Sequence, residues 1–323
     1  STGVIGRKTL ELINNNFPNL KVNLLCAKSN IRLLKKQIKI FKPKYAFLHD
    51  ASKIPNFNYR INKTKVLNFN ELLAYLSSSK SNLSILAVSG YQSLYFLEKI
   101  IENTDNLGLV SKEAIVSAGH IFKKKKYFSK TNIFPLDSEH YSLFEFFKNN
   151  NNQKLIKKII ITASGGPFYK KKFNTLKHVS FSQAIKHPKW KMGYKNSIDS
   201  ATLVNKCLEL VEAHYLFDIP YEKMDILIHP EAIVHSIIEY TNYFTQFNIF
   251  KNDMKIPILN FLVNSNLKLL KNNNKLFYDN YESLNFSKVQ QSTFPIYKLF
   301  NEIDKNKPQN LINFNVGNEL AVN

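Results

Sequence analysis

Cysteine, arginine and long apolar runs are scarce in this chain of 323 residues, and each scarcity excludes a class of protein. The two cysteines, Cys26 and Cys207, lie far apart and in no paired spacing. They therefore support neither a disulfide framework nor a cysteine-based zinc site, and they fit a reducing cytoplasm. No apolar run approaches the roughly 18 residues that a membrane-spanning helix needs, and no charged-then-apolar signal segment opens the chain. We therefore expect a cytoplasmic protein without a membrane partner.

The shortage of arginine changes the meaning of the net charge. The chain has 45 Lys+Arg against 24 Asp+Glu, a formal net charge of +21 that suggests a polyanionic partner. Three of these basic residues are arginines, whereas nucleic-acid readers rely on the planar, bidentate guanidinium group. The chain also has 40 asparagines. We hypothesise that the lysine excess reflects a coding bias toward A and T, which a gene of ordinary base composition would contradict, and we predict no nucleic-acid partner.

The periodicity of apolar residues predicts the fold class. Single cores stop growing near roughly 250 to 300 residues, so the length favours two domains. Strand-like and helix-like stretches alternate over residues 20–118, which is typical of a parallel α/β sheet with crossover helices. The three pairs of predicted strand and helix are 22–27 with 31–41, 83–89 with 92–101, and 107–110 with 113–122.

The second half of the chain has a different pattern. One long helix is predicted over residues 201–217, stopped before Pro220, and the whole half is interpreted as α+β. Residues 265–285 are polar and irregular enough to be a linker. The chain closes on residues 318–323, whose pattern is that of the first turn of a helix. The strands predicted for this half are 133–136, 155–162, 226–229 and 234–240.

Two motifs could bind phosphate or metal. Ser1-Thr-Gly-Val-Ile-Gly6 leads into a periodic run, so its glycines could bring a helix N-terminus to a pyrophosphate; an ordinary turn before a helix explains it equally well. Asp137 and Glu139 follow a predicted strand and could hold a hard divalent cation or act as an acid/base pair. For this motif alone, a helix N-cap is the favoured explanation, at roughly two to one.

Three further motifs carry polar side chains at turns or on a helix. Ser164 lies in a small-residue turn that is either an anion-binding nest or structural. The segment from His187 to Gly193 contains the single tryptophan among lysines, which favours a mobile cover over an anionic ligand, although a lone tryptophan is more often in the core. Asn205 and Glu209 share one helical face, where a surface charge pair is the simpler explanation.

Taken together and in this order, these motifs resemble one family, the 1-deoxy-D-xylulose 5-phosphate reductoisomerases. His-Pro-x-Trp-x-Met-Gly followed by Asp-Ser-Ala-Thr and Asn-Lys is a specific signature, and the matching stretches span nearly the whole chain. These stretches are 1–6, 109–119, 135–140, 163–168, 187–212, 228–236, 253–257 and 315–322.

The resemblance implies an NADPH-binding Rossmann-like domain, an α+β catalytic domain and a C-terminal helical domain. The implied boundaries are 1–136, 137–264, a linker at 265–290, and 291–323 as an incomplete helical domain. The family's first strand and the glycine before Ser1 would be missing, as would most of the terminal domain. The family is typically homodimeric.

The resemblance also implies a role for each matched residue. The implied metal ligands, for Mg²⁺ or Mn²⁺ and also for Co²⁺, are Asp137, Glu139 and Glu209, which form the catalytic set with Lys112. The implied substrate contacts are Lys112, Ser138, Glu139, Ser164, His187, Ser200, Asn205, Lys206 and Glu209, of which Ser164, Ser200, Asn205 and Lys206 would bind the phosphate beside His187. The implied lid residues are Trp190 and Met192. The implied NADPH contacts are Thr2, Gly3, Val4, Ile5, Ala27, Lys28, Ser29, Ser111, Glu113 and Gly193.

The implied reaction converts 1-deoxy-D-xylulose 5-phosphate to 2-C-methyl-D-erythritol 4-phosphate. The carbon skeleton would rearrange to a branched aldehyde by retro-aldol cleavage and re-addition, and hydride from NADPH would then reduce that aldehyde. The metal ion would act as Lewis acid and template, and lid closure would exclude water. Departures from the family pattern are Val4 for Ser, Ala27 for Gly, Ser29 for Asn, Ser111 for Asn and Cys207 for Gly, four of them on the cofactor side. Three alternatives stay open: a reductase of another sugar phosphate, a degenerate inactive member, and a nucleic-acid-binding module.

Overall fold

The structure is a computed structural model that describes residues 1–54, 59–149, 153–189, 192–264 and 283–322. Its first part is a sheet of order β1-β2-β4-β3 with helices between the strands, in which β1, β2 and β4 are parallel and β3 is antiparallel at the edge. The elements are α1 (Val4–Asn16), β1 (Leu24–Ala27), α2 (Ile31–Phe41), β2 (Tyr45–Leu48), β3 (Arg60–Ile61), β4 (Thr64–Leu67) and α3 (Phe69–Ser78).

A second sheet, of order β5-β6-β7, is parallel throughout. Together the two sheets confirm the predicted parallel α/β, Rossmann-like architecture, and the helix predicted over residues 31–41 has the observed bounds of α2. The carboxyl ends of parallel strands gather at one edge of a sheet, which is where ligands bind in this class of fold. The elements are β5 (Ser81–Leu86), α4 (Leu94–Glu102), β6 (Thr104–Leu109), α5 (Lys112–Lys124) and β7 (Asn132–Pro135).

The rest of the chain forms a mixed sheet of order β11-β10-β8-β9-β12, with helices packed against it. Strands β8 and β9 are parallel, whereas β10, β11 and β12 each pair antiparallel with a neighbour, so this half is α+β as predicted. The elements are α6 (Ser138–Asn149), β8 (Ile156–Ala163), α7 (Phe181–Ala184), α8 (Tyr194–Thr202), α9 (Val204–Phe217), β9 (Met224–Ile228), β10 (Val234–Tyr240), β11 (Thr245–Ile249), α10 (Lys255–Asn264), β12 (Ser287–Lys288), α11 (Pro295–Glu302) and α12 (Pro308–Val322).

The single helix predicted over residues 201–217 is wrong, because the chain forms two helices that meet at Leu203. Leu203 has a φ of 70° and is buried, a left-handed conformation that ends α8 and starts α9 in a new direction. Helical periodicity continues across such a break, so the sequence pattern did not show it. The break places Ser200 on one helix and Glu209 on another.

Two predictions for the last part of the chain also need correction. Residues 318–322 are the end of α12, which begins at Pro308, and not the first turn of a helix. Within the predicted linker 265–290, residues 265–282 lie outside the described residues, while Ser287 and Lys288 form β12 and pair with β9. Residues 287–288 therefore belong to the mixed sheet and not to a free linker.

One hydrophobic cluster joins the second parallel sheet, the mixed sheet and the C-terminal helices. Helices α5 and α9 cross within it at Gly119, where an added Cβ would lie 2.5 Å from the ring of Tyr215. Only glycine permits so close an approach. This crossing brings the start of α5, which carries Lys112, beside the α9 residue Glu209. A smaller, separate cluster supports the first sheet.

In the part of the chain that the structure describes, no helix combines the length and the apolar character needed to cross a membrane.

Candidate active site

Three carboxylates converge where the second parallel sheet meets the mixed sheet. Asp137 follows β7 directly, Glu139 lies in the first turn of α6, and Glu209 projects from α9. One oxygen from each carboxylate lies within 4.8 Å of the others. An all-oxygen donor set of this kind suits a hard divalent cation such as Mg²⁺ or Mn²⁺. The structure thus brings together the three residues that were predicted as metal ligands.

Two buried lysines lie against these carboxylates. Lys112 Nζ donates to Glu209 Oε1 at 2.7 Å and to Asp137 Oδ2 at 3.2 Å. Lys206 Nζ donates to Glu209 Oε2 at 2.7 Å and also to Glu139. Buried charges are stable only when they are paired, so the lysines and the carboxylates hold one another in place.

Amide and hydroxyl side chains complete this ring of contacts. Asn205 accepts a hydrogen bond from Lys112 Nζ at 2.9 Å and donates to Glu209. Ser138 Oγ donates to Glu139 Oε2 at 2.7 Å and is buried. Each of these side chains therefore has an oriented polar atom at the edge of the carboxylate cluster, where a substrate's hydroxyl or carbonyl oxygen could bind.

The helix-cap explanation for Asp137 also holds, because Asp137 Oδ1 accepts from the backbone N–H of His140 at 3.0 Å. The two explanations are compatible, since Oδ2 still faces Lys112. One oxygen therefore orients the side chain at the start of α6, and the other remains available to the site.

Two residues of the cluster had no predicted role. His140, fully buried, contacts Asp137 Oδ1 through Nδ1 at 2.7 Å and the backbone oxygen of Glu209 through Nε2 at 2.9 Å. Glu212 Oε2 lies 3.4 Å from the same Nδ1. Their spacings, three residues after Asp137 and three after Glu209, place them on the same helical faces as the ligands, and that signal could have identified both.

The electrostatics favour the charged forms of Lys112 and His140 and oppose the charge of Glu139. Burial opposes the charge of Lys112, but Glu209 and Asp137 raise its pKa well above the ordinary value. Burial also opposes the charge of His140, yet Asp137 and Glu212 raise its pKa to about 10. Burial raises the pKa of Glu139, and the nearby Glu209 adds to the effect. At neutral pH both lysine and imidazolium donate hydrogen bonds and do not act as bases.

A second polar cluster consists of Ser164, His187 and Ser200, and it is called the phosphate cluster here after the role that was predicted for these residues. Ser164 Oγ lies 2.9 Å from His187 Nε2 and accepts from the backbone N–H of Gly166 at 3.3 Å. Gly166 has a φ of 64°, and a Cβ there would lie 2.8 Å from the backbone oxygen of Ser200. The glycine turn after β8 therefore packs directly on α8.

The predicted phosphate ligands do not all lie in the phosphate cluster. Asn205 and Lys206 are bonded to the carboxylates instead. Lys206 is still near enough to matter, because burial and then Lys206 lower the pKa of His187 to about 4. The phosphate cluster and the carboxylate cluster are thus neighbours linked by the charge of Lys206.

In the sequence, the predicted lid lies between His187 and α8. Trp190 lies outside the described residues. Met192 is half-buried, and Gly193, which is exposed, is the N-cap of α8. The segment that ends at Gly193 therefore leads straight into the helix that carries Ser200.

The predicted cofactor residues of the first sheet lie at its carboxyl edge and at the start of α1. Gly3 is the N-cap of α1, and Thr2, Val4 and Ile5 flank it. The backbone nitrogen of Ser1 donates to the backbone oxygen of Cys26 on β1 at 2.5 Å, which holds this turn beside the strand. A helix N-terminus that faces a strand end presents free N–H groups to a pyrophosphate.

The other predicted cofactor residues are more scattered. Ala27 ends β1 and is buried, whereas Lys28 and Ser29 follow it and are exposed. Ser111 follows β6 and donates to the backbone oxygen of Val88. Glu113 is buried with its carboxylate 2.8 Å from Lys195 Nζ, an ion pair that the sequence analysis did not identify.

Three family profiles match this chain. A family profile described as 1-deoxy-D-xylulose 5-phosphate reductoisomerase matches residues 1–119. Profiles described as C-terminal domains of the same reductoisomerase match residues 133–217 and 250–323. The three matches leave residues 120–132 and 218–249 uncovered.

Curated relatives carry the same name. One from Sulfurihydrogenibium sp. (strain YO3AOP1) is 38% identical over 323 residues, which cover 100% of this chain and 83% of the relative. Another from Clostridium tetani (strain Massachusetts / E88) is 38% identical over 327 residues, covering 100% of this chain and 85% of the relative. This chain is therefore similar to these reductoisomerases along its whole length.

Solved structures agree with the fold. A reductoisomerase in complex with NADPH, fosmidomycin and magnesium superposes with a TM-score of 0.88 at 28% identity, covering 99% of this chain and 82% of that one. The enzyme from Zymomonas mobilis in complex with NADPH gives a TM-score of 0.85 at 31% identity, covering 99% and 83%.

Proposed function

Because this chain belongs to the 1-deoxy-D-xylulose 5-phosphate reductoisomerase family, we propose that it converts that sugar phosphate to 2-C-methyl-D-erythritol 4-phosphate, with NADPH and a divalent metal ion. The observation that carries the proposal is the convergence of Asp137, Glu139 and Glu209 beside Lys112 and the phosphate cluster. This geometry supplies a cation site and an anion site next to each other, as a phosphorylated hydroxyketone requires.

The residues present fit a divalent ion. Three carboxylate oxygens converge within 4.8 Å, and the charges that now neutralise them are two lysine ammonium groups. We infer that Asp137, Glu139 and Glu209 hold the ion, as a set of hard oxygen donors. When bound, the ion supplies Lewis acidity at the substrate's oxygens, and NADPH supplies the reducing hydride.

The protein's own groups bind and orient the substrate. Lys112 stays protonated because its pKa is raised well above the ordinary value, so we infer that it donates a hydrogen bond to the substrate's carbonyl end. Ser138 and Asn205 lie beside the carboxylates and fit a hydroxyl group. Lys206, between the two clusters, contributes positive charge to both.

We infer that the phosphate cluster binds the substrate's phosphate group through oriented hydrogen bonds. The pKa of His187 is lowered to about 4, so the ring is neutral near pH 7 and offers hydrogen bonds without charge. Ser164 and Ser200 add hydroxyl groups across the Gly166 contact. We propose that Met192, which is half-buried, and Trp190 help to exclude water once the phosphate is bound.

For the cofactor we propose the turn at Thr2, Gly3, Val4 and Ile5 for the pyrophosphate and the exposed Lys28 for the 2′-phosphate of NADPH. Ala27, Ser29, Ser111, Glu113 and Gly193 complete the proposed set. The support is their position at carboxyl ends of parallel strands and at helix starts.

One assay tests the proposed function. NADPH consumption is followed by absorbance with 1-deoxy-D-xylulose 5-phosphate, in the presence and absence of Mn²⁺. We expect turnover that requires both the sugar phosphate and the metal. No turnover with folded protein would favour the inactive alternative, and turnover with another sugar phosphate alone would favour a related reductase.

We further propose the domain boundaries 1–136, 137–264 and 291–323, with 265–290 between the last two. The change from a parallel to a mixed sheet after residue 136 supports the first boundary. A reducing, cytoplasmic location is also proposed, supported by the free thiols of Cys26 and Cys207 among the described residues.

A homodimer is proposed from the edge of the mixed sheet. Strand β11 is an edge strand, and the turn before it exposes Tyr243 and Phe244, while Phe247 on the strand is 44% exposed. An exposed apolar edge strand is a surface that a second chain can cover. Light scattering should give a dimer mass for the wild type and a monomer for Phe247→Lys; a wild-type monomer would contradict the proposal.

A further inference from the structure

We propose that Lys195 is a positioning residue that aligns the phosphate side of the active site by holding carboxylates from three helices at one buried ammonium group. Lys195 Nζ lies 2.6 Å from Asp199 Oδ2, 2.8 Å from Glu113 Oε1 and 3.4 Å from Glu319 Oε1. Its side chain is 10% exposed, so these contacts are largely shielded from water. The inference rests on the function proposed above.

Two of the three helices carry other residues of the proposed site, and the third, α12, packs beside them. Glu113 is on α5, directly after Lys112, which contacts the carboxylate cluster. Lys195 and Asp199 are on α8, which starts at the end of the predicted lid and carries Ser200. Glu319 is on α12, and the joint contacts therefore fix α8 relative to both of its neighbours.

An uncharged side chain of α12 also forms a hydrogen bond to Asp199. Asn318 Nδ2 donates to Asp199 Oδ1 at 2.9 Å, so the second oxygen of that carboxylate is also held. Asp199 is 1% exposed. With one oxygen on Lys195 and the other on Asn318, Asp199 cannot rotate without breaking a buried hydrogen bond.

The charge balance makes Lys195 the member on which the others depend. Three carboxylates face one ammonium group, and burial raises the pKa of both Asp199 and Glu319. Removing the ammonium would leave like charges together in a buried site, which is strongly unfavourable. We expect α8 to move away from α5 and α12 in response.

Movement of α8 would reach the phosphate cluster directly. The Gly166 turn packs on the backbone oxygen of Ser200 with no room for even a methyl group. Ser164 lies two residues before this contact and Ser200 lies at it. A small shift of α8 therefore changes the separation of two proposed phosphate ligands, although Lys195 itself is not one of them.

The test compares wild-type protein with Lys195→Met, which keeps the length of the side chain and removes its charge. Inorganic phosphate is titrated calorimetrically without substrate or cofactor, and steady-state kinetics are then measured. We expect the phosphate Kd and the substrate KM to rise together by about tenfold or more, the loss typical of removing a supporting contact, with a smaller fall in kcat. Lys298→Met is the matched control, because its ion pair with Glu302 is exposed at 3.8 Å.

A purely structural role gives a different result. Lys195→Met would then lower the unfolding midpoint while the phosphate Kd and KM stayed at wild-type values, and the proposal would be overturned. If Lys195→Met does not fold, Glu113→Gln is titrated with phosphate instead, where a weaker but parallel loss of affinity is expected and an unchanged Kd rejects the proposal. The phosphate titration needs no turnover, so failure of this inference is distinguishable from failure of the proposed function.

Discussion

The carboxylate cluster and the proposed cofactor turn are built in opposite ways. In the cluster, the side chains of Lys112 and Glu209 are 10% and 1% exposed and bond to each other across two helices. In the cofactor region, Gly3, Lys28 and Ser29 are exposed. The turn is held by a backbone contact from Ser1 to Cys26 and by the side chain of Gln37, which bonds to Ser1 Oγ and to the backbone oxygen of Ser1. Buried charged side chains specify the first region, whereas backbone contacts and neutral hydrogen bonds specify the second.

This difference accounts for four of the five predicted departures from the family pattern; the fifth, Cys207, is buried on α9. Val4, Ala27, Ser29 and Ser111 all lie on the cofactor side. Backbone N–H groups are the same in every non-proline residue, so a helix start can bind an anion through many sequences. A buried charged network allows no such freedom, because losing one member leaves another unpaired.

Glu209→Gln should have the largest effect, because Glu209 contacts Lys112, Asn205 and Lys206 and is a proposed metal ligand. We expect metal-dependent turnover to fall by at least about 100-fold, beyond the usual loss from an outer contact, while NADPH binding is largely unchanged. Turnover is measured by NADPH absorbance and binding by NADPH fluorescence, with the exposed Glu302→Gln as control. Retained activity would reject the metal role.

Gly166→Ala should come second. The φ of 64° and the approach of the new Cβ to 2.8 Å from the Ser200 oxygen should cost about 1–3 kcal/mol in the free energy of unfolding and raise KM. Gly3→Ala is the matched variant in the cofactor turn, where φ is −71° and the space around the Cβ is open among the described residues. Urea unfolding measures both. Equal destabilisation would remove the contrast between the two regions.

A third prediction concerns pH. The pKa of His140 is raised to about 10 in the folded protein, above the value of about 6.5 in an unfolded chain. Its contribution to stability is therefore fully present below about pH 6.5 and is lost as pH rises through about 10.

Urea unfolding of the metal-free protein at about pH 6 and about pH 9.5 tests this sign. The wild type should lose more stability between these values than His140→Gln does. His49→Gln, which changes an exposed histidine after β2 in the cofactor region, is the control and should behave as the wild type. An identical pH dependence in His140→Gln would show that the imidazolium adds nothing to the cluster.

The smallest effect is expected at Val4. Val4→Ser restores the residue usual in the family at the first position of α1. One added hydroxyl hydrogen bond contributes about 0.5–1.5 kcal/mol, so NADPH should bind more tightly by no more than about tenfold. Fluorescence titration measures the Kd. A larger gain would mean that side chains and not the backbone dominate the cofactor turn.

The order of the motifs predicted which residues of the carboxylate cluster lie together. The periodicity of apolar residues predicted the fold less completely. Asp137, Glu139 and Glu209 were assigned together and do converge, because each follows or lies on an element whose position the fold class determines. Periodicity missed the break at Leu203, since both α8 and α9 continue the same apolar pattern. It also gave no sign of Lys195, whose partners are up to 124 residues away in the sequence.

By itself, the sequence determined the fold class through its local patterns, and the ordered motifs, through the family resemblance, predicted the proposed metal ligands and the turn at Gly3. Tertiary structure alone decided that Lys206 bonds to the carboxylates and that His140 is charged. It also decided that Lys195 joins three helices. Those properties depend on burial and on contacts between distant segments, and the free energy of a buried charge is set by whatever the fold places beside it.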